Sequence, residues 1–129
     1  MKSFYLKIGN LKVSNIKFAI TKEQQRVGLM STAYPPVITI FPYKEAQIRK
    51  FWMKNVGLPL DIIFCNAGKV VCICVGKPYI ENKLIGSDDK PSDLVVEAMG
   101  GFCAYNNIQV GDSISIKYDK SNLSKFLKN

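Results

Sequence analysis

Two carboxylates stand inside apolar runs of this chain: Asp61 in Leu60-Asp61-Ile62-Ile63-Phe64, and Glu97 in Leu94-Val95-Val96-Glu97-Ala98-Met99. An unpaired charge in such company is costly, so each carboxylate needs a partner or a purpose. Arg26 and Lys54 are the natural cations. In one reading, Arg26 with Glu97 and Lys54 with Asp61 form buried ion pairs that pin a helix and a loop to a sheet. In the other, Asp61 and Glu97 act as acid-base groups in one polar cleft. Arg26, Trp52, Lys54 and Asn55 then orient an anionic or hydroxyl-rich ligand. Two carboxylates also suit Mg²⁺ or Mn²⁺ for phosphodiester cleavage, although nuclease sites normally bring more acids.

Composition removes several other chemistries. The 129 residues contain no histidine, which excludes Ser-His-Asp triads, Cys-His pairs and imidazole-based zinc sites. Cys65, Cys72, Cys74 and Cys103 form no C-x-x-C pair, so neither a zinc knuckle nor a thioredoxin-type motif is present. They read as small buried hydrophobes, with a soft-metal or redox site from Cys72, Cys74 and Cys103 as the sharper alternative. Cys72 and Cys74 are two apart in a β-rich run and share one side of a strand. Gly100-Gly101 precedes no G-K-S/T, so no phosphate loop is indicated, and no cofactor is expected.

The elements that must position these groups are short. At this length one domain, residues 1–129, can bury a single core. SFYLKIG and LKVSNIKFAI read as strands around a Gly9-Asn10 hairpin turn, with a bulge at Asn15. Thr21-Lys22-Glu23-Gln24 fits a capping box that opens a short helix ending near Gly28. Val37 to Phe41 is a strand, and PYKEAQIRK is a loop or one helical turn. Residues 60–65 and 69–75 flank Asn66-Ala67-Gly68 as the clearest hairpin. A long polar connection from Lys77 to Ser92 leads to a strand over Leu94 to Met99. A short helix over Phe102 to Asn106, a turn, a strand over Ser113 to Tyr118 and a helical tail complete the chain. The pattern predicts a mainly β domain: a small β-sandwich or partly closed β-barrel with two or three short helices. Met53, Leu29, Met30, Leu60, Ile62 and Phe64 read as core. Trp52 reads most simply as core with them, and is also a candidate ligand-binding residue.

Charge is asymmetric. Lys plus Arg is 18 against 10 acidic residues, a net +8. Residues 1–60 carry ten basic and two acidic side chains, whereas residues 61–129 carry eight of each. A basic half can meet nucleic acid, but lysines greatly outnumber the two arginines, and lysines five apart alternate faces of a strand. A solvated, solubility-giving surface is the plainer reading. No apolar run approaches a bilayer span and the N-terminus lacks a signal-peptide core. A cytoplasmic protein without membrane contact is expected.

Three segments carry a resemblance: Thr21 to Met30 (TKEQQRVGLM), Phe51 to Phe64 (FWMKNVGLPLDIIF) and Val96 to Asp112 (VEAMGGFCAYNNIQVGD). In order and spacing they resemble the domain-of-unknown-function family numbered 192 across residues 16–117. FWMKN followed by PLD is the specific element. The resemblance implies a compact β-rich domain of bacteria, archaea and some bacteriophages, with no settled function attached. This chain departs from the pattern at Val56, where the family carries a threonine, and in the shortened Ala33 to Ile38 segment. The Lys-, Asn- and Ile-rich composition fits an AT-rich genome such as a bacteriophage's. The expectation is a β-rich binding or interaction domain with a small polar cleft around FWMKN and PLD, without turnover. Its partner is an anionic or hydroxyl-rich small ligand or a protein, or nucleic acid on the basic half. The alternative is a hydrolase-like enzyme, such as a metal-dependent nuclease, using Asp61 and Glu97.

Overall fold

A computed structural model describes residues 4–27 and 38–118, with side chains on the first helix described through Gln25. The N-terminal hairpin forms as the Gly9-Asn10 signal predicts. Strand β1 (Phe4–Ile8) pairs antiparallel with β2 (Leu11–Val13), and Gly9 turns with φ of 56°, a left-handed conformation that glycine adopts without steric cost. The run from Leu11 to Ile20 is not one bulged strand. It divides at Ser14-Asn15, and β3 (Ile16–Phe18) joins a different sheet, parallel to β4 (Ile38–Gln47).

Helix α1 (Lys22–Val27) begins at the expected capping box. The Gln24 N–H donates to Thr21 Oγ1 at 3.0 Å, and the Thr21 N–H donates to Gln24 Oε1 at 3.1 Å. Two helix-end donors are thereby satisfied reciprocally. The Gln25 amide ties the helix to the sheet by donating to the Ala19 and Pro42 carbonyls. Gly28, Leu29, Met30, the Ala33 to Pro36 stretch and the C-terminal tail lie outside the described residues.

The remaining strands are β5 (Leu60–Asn66), β6 (Lys69–Gly76), β7 (Ser92–Met99) and β8 (Ile114–Tyr118), with a one-turn helix α2 (Phe102–Tyr105). The β5-β6 hairpin turns through Ala67 and Gly68, both at positive φ. Strand β4 runs past the expected end at Phe41 to Gln47. Pro42 occupies the last regular pair with β7 before the register shifts, the kind of place a strand tolerates proline.

The strands make two sheets: β2-β1-β8, and β3-β4-β7-β5-β6. Leu6, Ile8 and Ile114 of the small sheet pack against Ile38, Ile40, Ile63, Val70, Val96 and Ala98 of the large one, with Cys103 and Ile108 beside them. This is the inter-sheet core of a small sandwich. A second cluster (Ala19, Phe41, Met53, Val56, Leu60, Ile62, Phe64, Ile85 and Val95) lies on the outer face of the large sheet. There the loop segments around Met53 and Ile85 cover it. The large sheet is buried on both faces, which explains why β5 reads as a continuous apolar run rather than an alternating one.

Candidate functional site

The FWMKN segment crosses the outer face of the large sheet as an anchored loop. Phe51 and Ile85 exchange both backbone hydrogen bonds, at 2.9 and 2.6 Å. The Phe51 ring meets Phe41 and Phe64 edge-on, with centroids 5.3 and 5.9 Å apart. Met53 is fully buried, its N–H donating to the Ile80 carbonyl at 3.2 Å. Gly76 is required beneath it, because a Cβ there would stand 2.5 Å from Met53 Sδ. The Val56 N–H closes a turn onto the Met53 carbonyl, and Asn55 sits in it at φ of 59°.

Anchored through Phe51 and Met53, the loop directs its intervening residues outward. Trp52 is 42% exposed, and Lys54 and Asn55 are exposed. Trp52 is therefore not a core residue. Alternation in this extended stretch turns half-buried Phe51 and fully buried Met53 toward the sheet and leaves the indole in solvent. Lys54 Nζ lies over the Trp52 ring, 5.1 Å from its centroid, a cation–π contact. The structure thus brings Trp52, Lys54 and Asn55 together on one exposed loop.

It does not bring the two carboxylates together. On neighbouring strands Asp61 pairs with Ala98, and Glu97 pairs with Ile62. Ala98 belongs to the inter-sheet core and Ile62 to the outer cluster. Successive side chains alternate faces, so Asp61 and Glu97 point to opposite sides of the sheet. One cleft holding both as acid and base, or as a shared metal pair, is ruled out by register. The two-carboxylate hydrolase expectation is corrected on this ground.

Asp61 has a local task. It is 4% exposed, and its carboxylate accepts hydrogen bonds from the Cys103 N–H at 2.9 Å and the Gly101 N–H at 3.3 Å. These are donors at the start of α2, where Gly101 is left-handed at φ of 94°. Burial pushes the Cys103 thiol up to about 12, helped by the Asp61 charge and a hydrogen bond to that carboxylate. The Pro59 carbonyl accepts the Gly100 N–H at 2.8 Å. The PLD motif therefore grips the turn between β7 and α2. The expected Lys54–Asp61 ion pair is absent among the described residues: Lys54 is exposed on the loop, and Asp61 is satisfied by backbone donors.

Glu97 is different. It is 5% exposed on the face that the FWMKN loop covers, and burial raises its carboxyl to about 7. Directly across from it in β4 stands Thr39, whose buried Oγ1 has no hydrogen-bond partner among the described residues. Tyr43 lies two positions further along that face. Burial raises its pKa, opposed by the Arg49 charge and assisted by that of Glu97. The Arg49 guanidinium stacks 3.4 Å above the Tyr43 ring and donates to the Ser92 and Glu45 carbonyls. Thr39, Tyr43 and Arg49 were not singled out in the sequence. The alternation Thr39-Phe41-Tyr43 was the available signal, interrupted by Pro42. The Arg26 side chain, the expected partner of Glu97, lies outside the described residues.

The comparisons with known proteins agree with this architecture. The family model DUF192, described as uncharacterized ACR, COG1430, matches residues 5–116. The chain belongs to the DUF192 family. A solved structure of a protein of unknown function from Novosphingobium aromaticivorans is 27% identical to this DUF192 chain. The match covers 86% of this chain and 83% of that one, with a TM-score of 0.77. A Sinorhizobium meliloti protein described as a "putative transcription regulator" is 23% identical, with 88% and 92% covered and a TM-score of 0.76, and shares the fold. No curated protein matches the chain. Among the described residues of this DUF192 domain, no helix is long and apolar enough to cross a membrane.

Proposed function

We propose that this chain is a binding domain without turnover of its own, and that its recognition element is the loop carrying Trp52, Lys54 and Asn55. The observation that carries this reading is the division of labour within FWMKN. Phe51 and Met53 are fixed by packing and backbone hydrogen bonds, while the residues between and after them are presented to solvent. A rigid exposed aromatic beside a cation and an amide recognises a ring or sugar face next to an anionic or hydroxyl-rich group, at small entropic cost. Glu97 and Thr39 are buried on the face of the sheet that this loop covers, whereas the Asp61 carboxylate is committed to α2 on the other face.

Trp52 is the chain's single tryptophan, so its fluorescence reports on this loop alone. The test is a titration with sugar phosphates, nucleotides and neutral oligosaccharides, followed by tryptophan emission. Saturable quenching or shift by one class is expected, lost in Lys54→Ala while the unfolding temperature is kept. A panel that leaves the emission unmoved, or a Lys54→Ala protein that binds as wild type does, removes the proposal.

A further inference from the structure

Two half-buried thiols remain unused by that reading. Cys72 and Cys74 lie on β6, an edge strand of the large sheet, and their sulfurs are 3.6 Å apart. The i, i+2 spacing puts both on one side of the strand, over the outer cluster, as the alternation of a strand requires. Cys74 also lines a cavity of about 560 Å³ together with Val75, Lys77, Ile80 and Leu84. A solvent-borne ion therefore has a route to the sulfur.

We propose that Cys72 and Cys74 form a two-thiolate site for a soft monovalent metal ion, with Cu(I) as the biological candidate. Three observations select this chemistry. First, the chain has no histidine, and no group of three or more His, Cys, Asp or Glu side chains is placed to hold a metal among the described residues. A four-coordinate zinc site thus lacks ligands, while thiolates favour Cu(I). Second, two residues of extended strand span roughly 6.6 Å, at the upper limit for the Cα separation of a disulfide. Closing a disulfide requires the sulfurs to approach to about 2 Å and the strand to buckle. A linear S–metal–S unit with bonds of about 2.3 Å holds its sulfurs about 4.6 Å apart. That is a modest opening from 3.6 Å. Third, Lys77 and Lys83 line the same cavity as Cys74, which suits a complex of net negative charge.

The binding step balances simply. Two S–H bonds break, two S–metal bonds form, two protons leave, and the bis-thiolate complex carries one negative charge. No electron is transferred. Burial and the hydrogen bond shared with Cys72 raise the Cys74 thiol to about 11. A thiophilic ion displaces thiol protons directly.

The test is anaerobic titration of the reduced full chain with Cu(I) against a chromophoric Cu(I) chelator, with proton release followed by a pH indicator. One ion per chain and two protons per ion are expected. Cys72→Ser and Cys74→Ser each lose the ion, while Cys103→Ser, which keeps a donor for Asp61, retains it. X-ray absorption should show two sulfur neighbours. Circular dichroism confirms that each variant is folded, so a loss is read as loss of a ligand. Undiminished uptake by the Cys72→Ser, Cys74→Ser double variant overturns the proposal. So does failure of the wild type to compete with the chelator, or tighter binding of Zn²⁺ than of Cu(I) by the same thiols.

Discussion

Asp61 and Glu97 are neighbours by strand order, and their surroundings are opposite in kind. Asp61 turns into the inter-sheet core and meets two backbone N–H groups that have no other partner in their own helix. Glu97 turns to the outer face, meets Ile62 and Thr39 across the strands, and is pushed up to about 7 by burial. One carboxylate is buried because it is used by the fold. Among the described residues no donor meets the other, whose burial raises its carboxyl, and a buried group in that condition is a candidate for function. Burial alone does not distinguish the two; the donors do.

The sharpest way to break this contrast is to remove each carboxylate. Asp61→Ala strands two buried donors at the start of α2, each costing about 1–3 kcal/mol. A loss of roughly 3–4 kcal/mol is expected, measured by urea unfolding. Asp61→Asn keeps one acceptor oxygen and loses about half as much. If Asp61→Ala is as stable as wild type, the capping role is wrong and Asp61 returns to the pool of functional candidates.

Glu97 gives the opposite sign. Its folded-state pKa of about 7 lies above its ordinary 4.5. Between those values the folded state holds the proton that the unfolded chain releases. The associated stability is full below about pH 4.5 and is lost as pH rises through 7. A shift of one unit is worth about 1.4 kcal/mol, so the fall across this window is about 3 kcal/mol. Glu97→Gln flattens that part of the profile and leaves the protein about 3 kcal/mol more stable above pH 8. A profile that stays parallel to wild type between pH 4 and 8 shows that another charge compensates Glu97.

Thr39 refines the same side. Its Oγ1 is buried without a partner among the described residues, directly across from Glu97. Replacing it with the near-isosteric valine removes an unmet polar group and stabilises the protein by about 1 kcal/mol. Thermal unfolding below pH 5 and above pH 8 separates two cases. An equal gain at both ends means Thr39 is only unsatisfied. A gain confined to low pH means it donates to ionised Glu97.

Much of this was legible in the chain. The Thr21–Gln24 capping box, the Gly9-Asn10 turn and the Ala67-Gly68 hairpin are local patterns, each decided by a few adjacent residues. What was not legible depends on register or on which sheet a strand joins. The alternation from Leu11 to Ile20 looks the same whether the chain continues or crosses to another sheet at Asn15. Parity within β5 and within β7 is plain, but which residue of β5 faces which residue of β7 is fixed only by the assembled sheet. Asp61 and Glu97 consequently looked like partners. Trp52 misled as a core residue by type alone, since a large apolar residue in an anchored loop obeys the loop's alternation before its own hydrophobicity. The same parity made Cys72 and Cys74 readable as neighbours, because both lie on one strand.

The smallest effect on stability carries the most weight for function. Lys54 touches the Trp52 ring from an exposed position, where a cation–π contact is worth about 0.5–1 kcal/mol. Lys54→Ala is therefore expected to lower stability by less than about 1 kcal/mol. Asp61→Ala should leave recognition by any folded fraction intact, since its carboxylate works on the far face. The two variants thus make a crossed pair: one fold-breaking and binding-neutral, the other fold-neutral and binding-defective. Measured together by urea unfolding and Trp52 fluorescence titration, they divide the sheet into a face that builds the domain and a face that uses it. If instead Lys54→Ala unfolds as readily as Asp61→Ala, the FWMKN loop is a staple of the outer cluster, and its exposed indole has no separate role.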